Sequence, residues 1–214
     1  MSVEQLKVDA IDAAQKYKAR YKQSLDPNDL DLFQRFMDVY KHLDGINIGL
    51  FSQTENGPTV IYTDGDSSIV GNGVGGLSVP ADYFRAGNTF KLSVHGNITS
   101  ANNAQLAIRL KEGALTVSEI IITMVSAVDQ DFDIDVNFVV RSIGGPGVAK
   151  LLTVGTFSYS KSSNANPEAF YFDSLEQTNF DTTIQTTLDV TAEWLTSGAG
   201  NQLFTQSLNL YKIW

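Results

Sequence analysis

Residues 181–214 read DTTIQTTLDVTAEWLTSGAGNQLFTQSLNLYKIW, and two parts of this segment alternate between apolar and polar side chains. In the first part the apolar residues share one parity, and they are Ile184, Leu188, Val190, Ala192 and Trp194. A Ser-Gly-Ala-Gly-Asn turn follows, and a second run with Phe204, Leu208 and Leu210 continues from there. A period of two is typical of a strand with one buried and one solvated face. The segment therefore predicts two strands joined by a turn, and it contains no catalytic motif.

The beginning of the sequence carries a helical pattern instead. Apolar residues recur there at spacings of three and four, and they are Val3, Leu6, Ala10, Ala13 and Tyr17. This spacing predicts an amphipathic helix, and it also fits the seam of a short coiled coil. A helix that packs on its own sheet and a self-associating stalk therefore both remain open.

A second helix is predicted to begin after Asp26 and to end before Gly45. The Asp26 side chain can accept hydrogen bonds from the first turn, and Pro27 suits the first helical position. Glycine is a common residue just beyond a helix end. The apolar face of this helix contains Leu30, Phe33, Phe36 or Met37, and Tyr40. We therefore assign residues 1–45 to a helical segment.

Short β-type runs separated by turns fill residues 46–214. The cleanest alternation has the apolar residues Phe132, Ile134, Val136, Phe138 and Val140. The segments Asp64–Gly76 and Lys161–Pro167 are rich in small and polar residues, and we predict loops there. Helices and strands do not alternate as they would in a parallel α/β sheet. Many short strands at roughly regular spacing predict a sandwich or a barrel.

Composition restricts the possible functions. The chain has 15 Lys and Arg against 24 Asp and Glu, which gives a net charge of −9. An acidic chain repels phosphate groups, so we expect no nucleic-acid partner and no anionic membrane surface. The chain has no cysteine, which excludes disulfides and thiolate metal sites and agrees with assembly in a reducing cytoplasm. No run is apolar and long enough to suggest a signal core or a membrane span.

The most prominent polar set consists of four carboxylates, Asp129, Asp131, Asp133 and Asp135. Even spacing on a strand places them on one face, where like charges repel and a hard cation such as calcium would relieve the repulsion. The calcium-loop pattern requires Gly at its sixth position and Glu at its twelfth, whereas this run has Ile134 and Val140 there. We therefore predict no metal site and favour a solvated strand entry that discourages edge-to-edge pairing.

The sequence offers little for catalysis. Neither His42 nor His95 is accompanied by a serine elbow or an HExxH motif. Carboxylates are plentiful, yet no motif places a pair of them as a glycosidase would need. We therefore expect that the protein is not an enzyme and that it uses no cofactor.

Three segments together resemble a domain that is frequent in virion proteins of tailed phages and large DNA viruses. They are GGLSVPADYFRAGNTFKLSVHGNITS at Gly75–Ser100, VNFVVRSIGGPGVAKLLTVGTFSYSK at Val136–Lys161, and TTLDVTAEWLTSGAGNQLFTQSLNLYKI at Thr186–Ile213. Domains of this family are similar to single jelly rolls of the tumour-necrosis-factor-like kind. The resemblance implies a mainly β protein with an antiparallel jelly-roll sandwich at residues 46–214, preceded by the two helices.

The same resemblance implies a setting in a virion, as a minor capsid, fibre or tail protein that is assembled in the host cytoplasm. We expect a homotrimer that contacts other virion proteins, because cyclic symmetry suits a head-to-tail contact between neighbouring domains. The helices lie outside the resemblance, and we expect them to attach the protein through apolar contacts of Leu6, Ala10, Ala13, Tyr17, Phe33, Phe36 and Tyr40.

The alternative is a head domain that binds host glycans or surface proteins. The loops predicted at Asp64–Gly76 and Lys161–Pro167 would carry this binding, since loops on a rigid scaffold commonly do. Tyr and Trp side chains are also frequent at interfaces and against sugars, and the second half of the chain is rich in aromatic residues, namely Tyr159, Phe170, Tyr171, Phe172, Tyr211 and Trp214.

Overall fold

The computed structural model describes residues 3–24, 26–44, 48–162, 164–172, 176–198 and 200–213. The chain divides into two compact units. The first is Met1–Ile48 together with Ile213–Trp214, and it contains the helices. The second is Gly49–Lys212, and it contains the sheets.

The first unit is a hairpin of two helices, α1 (Val3–Ser24) and α2 (Pro27–Asp44). Asp26 caps α2 as the sequence predicts, because its Oδ1 accepts the backbone N–H of Asn28 at 2.9 Å. Ala10 and Ala14 are buried on α1.

The second unit consists mainly of strands. They are β1 (Ile48–Gln53), β2 (Val60–Ile61), β3 (Ser67–Ser68), β4 (Gly73–Gly75), β5 (Ser78–Val79), β6 (Thr89–Ser100), β7 (Gln105–Glu112), β8 (Leu115–Thr123), β9 (Ala127–Ser142), β10 (Lys150–Lys161), β11 (Asn164–Phe172), β12 (Glu176–Gln177), β13 (Thr186–Trp194) and β14 (Gln202–Lys212). A short 3₁₀ turn, Tyr62–Asp64, follows β2.

The strands form two sheets. The larger sheet has the order β11-β10-β9-β6-β14-β1-β4, with β12 on β10 and β2 on β14. The smaller sheet has the order β3-β13-β7-β8, with β5 on β13. The pairings whose register is described are antiparallel, for example β6 with β9 and β7 with β13. The prediction of a mainly β, antiparallel fold with two helices at the N-terminus is confirmed.

Four of the pairings are nested one inside another along the chain. β7 pairs with β8, β6 with β9, and β3 with β13, while β1 lies beside β14. Eight strands therefore form one ribbon of nested pairings whose tip is the β7–β8 hairpin. The ribbon crosses from sheet to sheet, so that the two sheets are built from the same continuous stretch of chain.

The core lies between the sheets. Side chains of β6 alternate without exception between buried and partly buried, which places Leu92, Val94 and Ile98 inside. The smaller sheet contributes Leu106, Ile108 and Leu110 from β7, and these are also buried. Full burial of one such side chain contributes about 1.5–3 kcal/mol. The packing of the two inner faces therefore provides most of the stabilisation of this unit.

The closing segment contributes one strand to each sheet. β13 belongs to the smaller sheet and β14 to the larger one, so the turn between them connects the two layers. Trp194 at the end of β13 is fully buried, and its Nε1 donates to the carbonyl of Val60 at 3.2 Å. Leu208 and Leu210 are buried as the alternation predicts.

Two positions in the closing segment differ from the prediction. Ile184 is exposed, because it precedes the first residue of β13. Phe204 lies on the outer parity of β14, while Leu203 and Thr205 are buried. A register shift between Thr205 and Ser207 moves the buried parity by one residue, so the single alternating run assumed from Phe204 to Leu210 is wrong.

Both segments predicted as loops contain strand residues. Asp64–Gly76 includes β3 and β4, which are short edge strands of different sheets. Lys161–Pro167 overlaps the ends of β10 and β11, which pair through Lys161 and Asn164. Backbone hydrogen bonds to a neighbouring strand fix such polar segments even where their side chains give no strand signal.

Candidate functional site

The residues predicted to attach the helices lie in different surroundings. The rings of Tyr17 and Phe36 stack with their centroids 5.6 Å apart and nearly parallel. Phe33 is partly buried, and the Lys18 ammonium lies 5.5 Å from the centre of its ring. These contacts join α1 to α2, so the three aromatic side chains contribute to the hairpin itself.

The remaining attachment candidates are divided between interior and surface. Ala10 is buried and Ala13 is partly buried within the chain. Leu6 is exposed, and so is Val8, which the sequence did not single out. Tyr40 lies in α2, and its side chain is outside the part of the chain that the structure describes. Among the α1 side chains that the structure describes, Leu6 and Val8 are the large apolar ones that are exposed to a partner.

The acidic run lies on the outer face of the larger sheet. Asp131, Asp133 and Asp135 are exposed on β9, on the parity opposite to the core. Asp129 has a left-handed backbone with a φ of 52°. It sits where the register between β6 and β9 shifts, and its N–H donates to Thr99 Oγ1 at 3.0 Å. Three of the four carboxylates therefore follow the regular alternation, and the fourth belongs to a bulge.

Neighbouring polar side chains on β6 contact two of these carboxylates. Asp135 Oδ1 accepts the Ser93 hydroxyl at 2.7 Å and lies 3.3 Å from the Lys91 ammonium. Asp133 Oδ1 lies 3.0 Å from His95 Nδ1. Within the described ranges, no group of three or more His, Cys, Asp or Glu side chains is arranged to hold a metal ion.

The prediction that the acidic run discourages edge-to-edge pairing of strands is wrong. β9 pairs with β6 on one side and with β10 on the other, so it is an interior strand and its carboxylates protect no edge. Their surroundings instead make them part of a polar sheet face. His95 belongs to the same face, whereas the side chain of His42 lies outside the described part of the chain.

A row of polar side chains crosses the outer face of the larger sheet. Strand register places Tyr171, Thr156, Asp135, Ser93 and Asn209 side by side on five successive strands. The row continues to β1, where the Ser52 hydroxyl donates to Asn209 Oδ1 at 2.8 Å. Tyr171 stands at the edge of this row and is 77% exposed. The face thus combines hydrogen-bonding groups with one free aromatic ring.

The outer face of the smaller sheet carries an ion-pair network around Arg109. Its guanidinium lies 2.6 Å from Glu119, 2.7 Å from Glu193 and 3.0 Å from Asp66, and only 16% of the side chain is exposed. Lys111 lies 2.7 Å from the same Asp66. The network therefore fixes the segment before β3 to β7, β8 and β13.

The pKa values in this network follow from its contacts. Burial alone would lower the pKa of Arg109, but hydrogen bonds to Glu193, Glu119 and Asp66 raise it further above its usual value. Burial raises the pKa of Asp66, and the hydrogen bonds led by that of Lys111 outweigh this effect and lower it. Both groups therefore stay charged at neutral pH. The sequence showed no sign of this network, because its members are far apart along the chain.

Glu112 at the end of β7 is a carboxylate on the inner face. It is 6% exposed, and among the described residues no donor reaches its Oε1. Desolvation raises the pKa of its carboxyl from 4.5 to about 7. A hydrogen bond from the Asp181 backbone opposes the increase, and the charge of Asp181 adds to it. The alternation of Leu106, Ile108 and Leu110 continues to position 112 and could have indicated this placement.

We expect substitution of Arg109 by Met to lower the free energy of unfolding by about 2 kcal/mol, because three partly buried carboxylates lose their common cation. Urea unfolding at pH 7 measures the change. Arg141→Met is the matched control, since Arg141 is half exposed and lies 3.5 Å from one partner, Glu176. The control should change stability by less than about 0.5 kcal/mol. Equal effects of the two substitutions would contradict the role assigned to Arg109.

The free energy of unfolding of the wild-type protein is expected to fall as the pH rises, because burial raises the pKa of Glu112. We expect Glu112→Gln to remove this decrease. Below pH 4.5 the carboxyl is protonated in both states. Between 4.5 and 7 the unfolded chain ionises while the folded protein holds its proton, so the wild-type protein loses up to about 3 kcal/mol over this window, and above 7 the loss is constant.

The measurement is the difference in unfolding free energy between Glu112→Gln and wild type, taken at several pH values from 4 to 8. That difference should increase in favour of the variant as the pH rises. Asp131→Asn, which removes an exposed carboxylate from the outer sheet face, is the matched control for the loss of one charge. A flat difference for Glu112→Gln would show that the carboxyl titrates normally.

No family model matches the chain, and no curated protein matches it. One solved structure that it matches is the CBM2 module of the evolved Dit of Lactobacillus casei BL23 phage J-1. The two chains are 11% identical, the match covers 74% of this chain and 80% of that one, and the TM-score is 0.32. A TM-score of this size does not establish a common fold.

Within the described residues, no helix has the length and apolarity needed to cross a membrane.

Proposed function

We propose that this chain is a structural component of a virion, in which the sandwich forms a jelly-roll head and the helical hairpin provides attachment. The proposal covers a minor capsid, fibre or tail protein assembled in the host cytoplasm. It rests on the resemblance of the segments Gly75–Ser100, Val136–Lys161 and Thr186–Ile213 to virion domains of this kind. It includes no catalytic step and no cofactor.

The observation that carries the jelly-roll part is the nested pairing of β1 with β14, β3 with β13, β6 with β9 and β7 with β8. A jelly roll is an antiparallel ribbon of eight strands rolled into two sheets, and this pairing supports that winding. β10, β11 and β4 then extend the larger sheet beyond the ribbon. The three resembling segments contribute strands to both sheets.

The surface supports a role in assembly. Leu6 and Val8 leave apolar area exposed on α1. Burial of such groups against other copies or against another virion protein would be favourable, at about 25 cal/mol for each Å². We propose a homotrimer in which α1 contributes to the contact, because cyclic symmetry lets each copy present one surface to the next.

The full-length chain is expected to have about three times the mass of one 23.4 kDa chain at micromolar concentration in analytical ultracentrifugation. The double substitution Leu6→Glu and Val8→Glu should shift it to monomer, because two charges would be desolvated at the contact. Gln15→Glu with Ala19→Glu adds the same charge at exposed positions of α1 and should leave the trimer intact. A wild-type chain that stays monomeric would contradict the trimer, and equal dissociation by both variants would contradict a contact at Leu6 and Val8.

A second candidate, binding of a host glycan, is favoured by one observation. Tyr171 offers an exposed ring at the edge of the polar row that contains Thr156 and Asp135. A sugar ring could stack on the tyrosine while its hydroxyls bond to the neighbouring polar side chains. The site proposed here is on the sheet face, whereas the sequence analysis proposed the loops Asp64–Gly76 and Lys161–Pro167.

A glycan array of the full-length protein tests this candidate. Tyr171→Ala should weaken any binding about tenfold, because the stacking surface is removed. Tyr62→Ala is the matched control, since Tyr62 is another exposed tyrosine that lies in the 3₁₀ turn. An array without hits, or hits that persist in Tyr171→Ala, would remove the support for glycan binding on this face.

A further inference from the structure

One end of the sandwich contains an apolar cavity of about 40 Å³ between the two sheets. Its lining includes Phe84, Phe90, Leu110, Val117, Phe180 and Leu188. A single water needs at least about 10–15 Å³ of such volume and several polar partners. The cavity has the volume for roughly three waters, yet its walls offer them few partners, and a short hydrocarbon chain fits this chemistry better.

A surface groove of about 470 Å³ lies at the same end of the sandwich. It is lined by residues that include Gly113, Leu115, Pro146, Asp181, Gln185 and Thr187. Hydrogen bonds between Gly144 and Thr182 join the segments on either side. Gly144 N–H donates to Thr182 Oγ1 at 2.8 Å, and the Gly144 carbonyl accepts from Thr182 N–H at 3.0 Å and from Thr182 Oγ1 at 3.2 Å. The groove is therefore a shaped surface held by hydrogen bonds between these two segments.

Glu112 lines both the cavity and the groove. Its side chain is more than nine-tenths buried, and its Oε1 accepts no hydrogen bond from any described residue. Asp181 is a second carboxylate on the groove side and interacts electrostatically with Glu112. A buried carboxylate oxygen without a donor is costly, and a neighbouring negative charge increases the cost.

The ligand that satisfies these requirements combines two features. It carries a cationic donor, because a neutral hydroxyl would complete the hydrogen bond but would leave the charge of two carboxylates uncompensated. It also carries a short apolar chain, because the cavity behind Glu112 is apolar. An ammonium group offers three donors and one positive charge, so a primary amine on a short aliphatic chain has both features.

We propose that this end of the sandwich is a binding site for a primary alkylammonium, with the ammonium bonded to Glu112 and facing Asp181 and with the alkyl chain in the cavity. A short alkyl chain matches the apolar lining of the cavity. The site uses no residue of the helical hairpin and none of the outer polar row. It is therefore independent of the proposed virion role, and either proposal can fail without the other.

Titration of the full-length ¹⁵N-labelled protein with n-butylamine hydrochloride at pH 7.5 tests the site. We expect amide shift changes at Gly113, Leu115 and Asp181, with saturation at millimolar concentration. Methylamine, which lacks the chain, and 1-butanol, which lacks the charge, should each bind about tenfold more weakly. Glu112→Gln should weaken butylamine binding about tenfold, and Asp131→Asn on the outer sheet face should not change it.

Four outcomes would overturn the proposal. They are no shift changes at these amides with butylamine at tens of millimolar, equal binding of 1-butanol, equal binding of methylamine, and unchanged binding in Glu112→Gln. Should Glu112→Gln fail to give the dispersed spectrum of a folded protein, Asp181→Asn decides instead. That variant removes the second carboxylate from the groove side and should weaken butylamine binding several-fold, and unchanged affinity there would overturn the proposal too.

Discussion

β14 pairs with β6 along nearly its whole length and lies beside β1 on its other side. β14 is therefore the strand that joins β1 and β4 to the rest of the larger sheet. The inner face of this sheet forms one side of the hydrophobic core. Leu203, Leu208 and Leu210 from this strand are all buried in the common hydrophobic core. Loss of the pairing would remove ladder hydrogen bonds and core cover together, since the same strand provides both.

The sequence predicted the parts of the fold that depend on local pattern. The helices, the cap at Asp26 and the alternation of β9 were all evident, because each follows from the spacing of neighbouring residues. The assignment of β13 and β14 to different sheets was not predictable. Two strands joined by a turn have the same sequence pattern whether they pair with each other or belong to different sheets. The parity of Phe204 was missed for a related reason, because a bulge leaves no mark in the hydrophobic pattern.

For the candidate sites too, the sequence predicted what depends on local pattern and missed what depends on strand pairing. The outward direction of Asp131, Asp133 and Asp135 followed from their spacing, whereas the role assigned to them depended on whether β9 is an edge strand, which only the pairing decides. The network around Arg109 joins β7, β8, β13 and the segment before β3, so no local pattern could indicate it. Glu112 is the exception, because the parity of β7 already directs it inward and only its polar identity hid the placement.

The nested pairing also has a consequence for how the chain folds. The β7–β8 hairpin requires the shortest loop closure, and each pairing outside it spans a longer stretch, up to β1 with β14. Contacts that are far apart in sequence are the slowest to form, so folding is expected to proceed outward from the hairpin. During synthesis, the edges of β6 and β1 stay without their partner until β14 has been made. The chain is thus most exposed to wrong strand pairing just before β14 has been made.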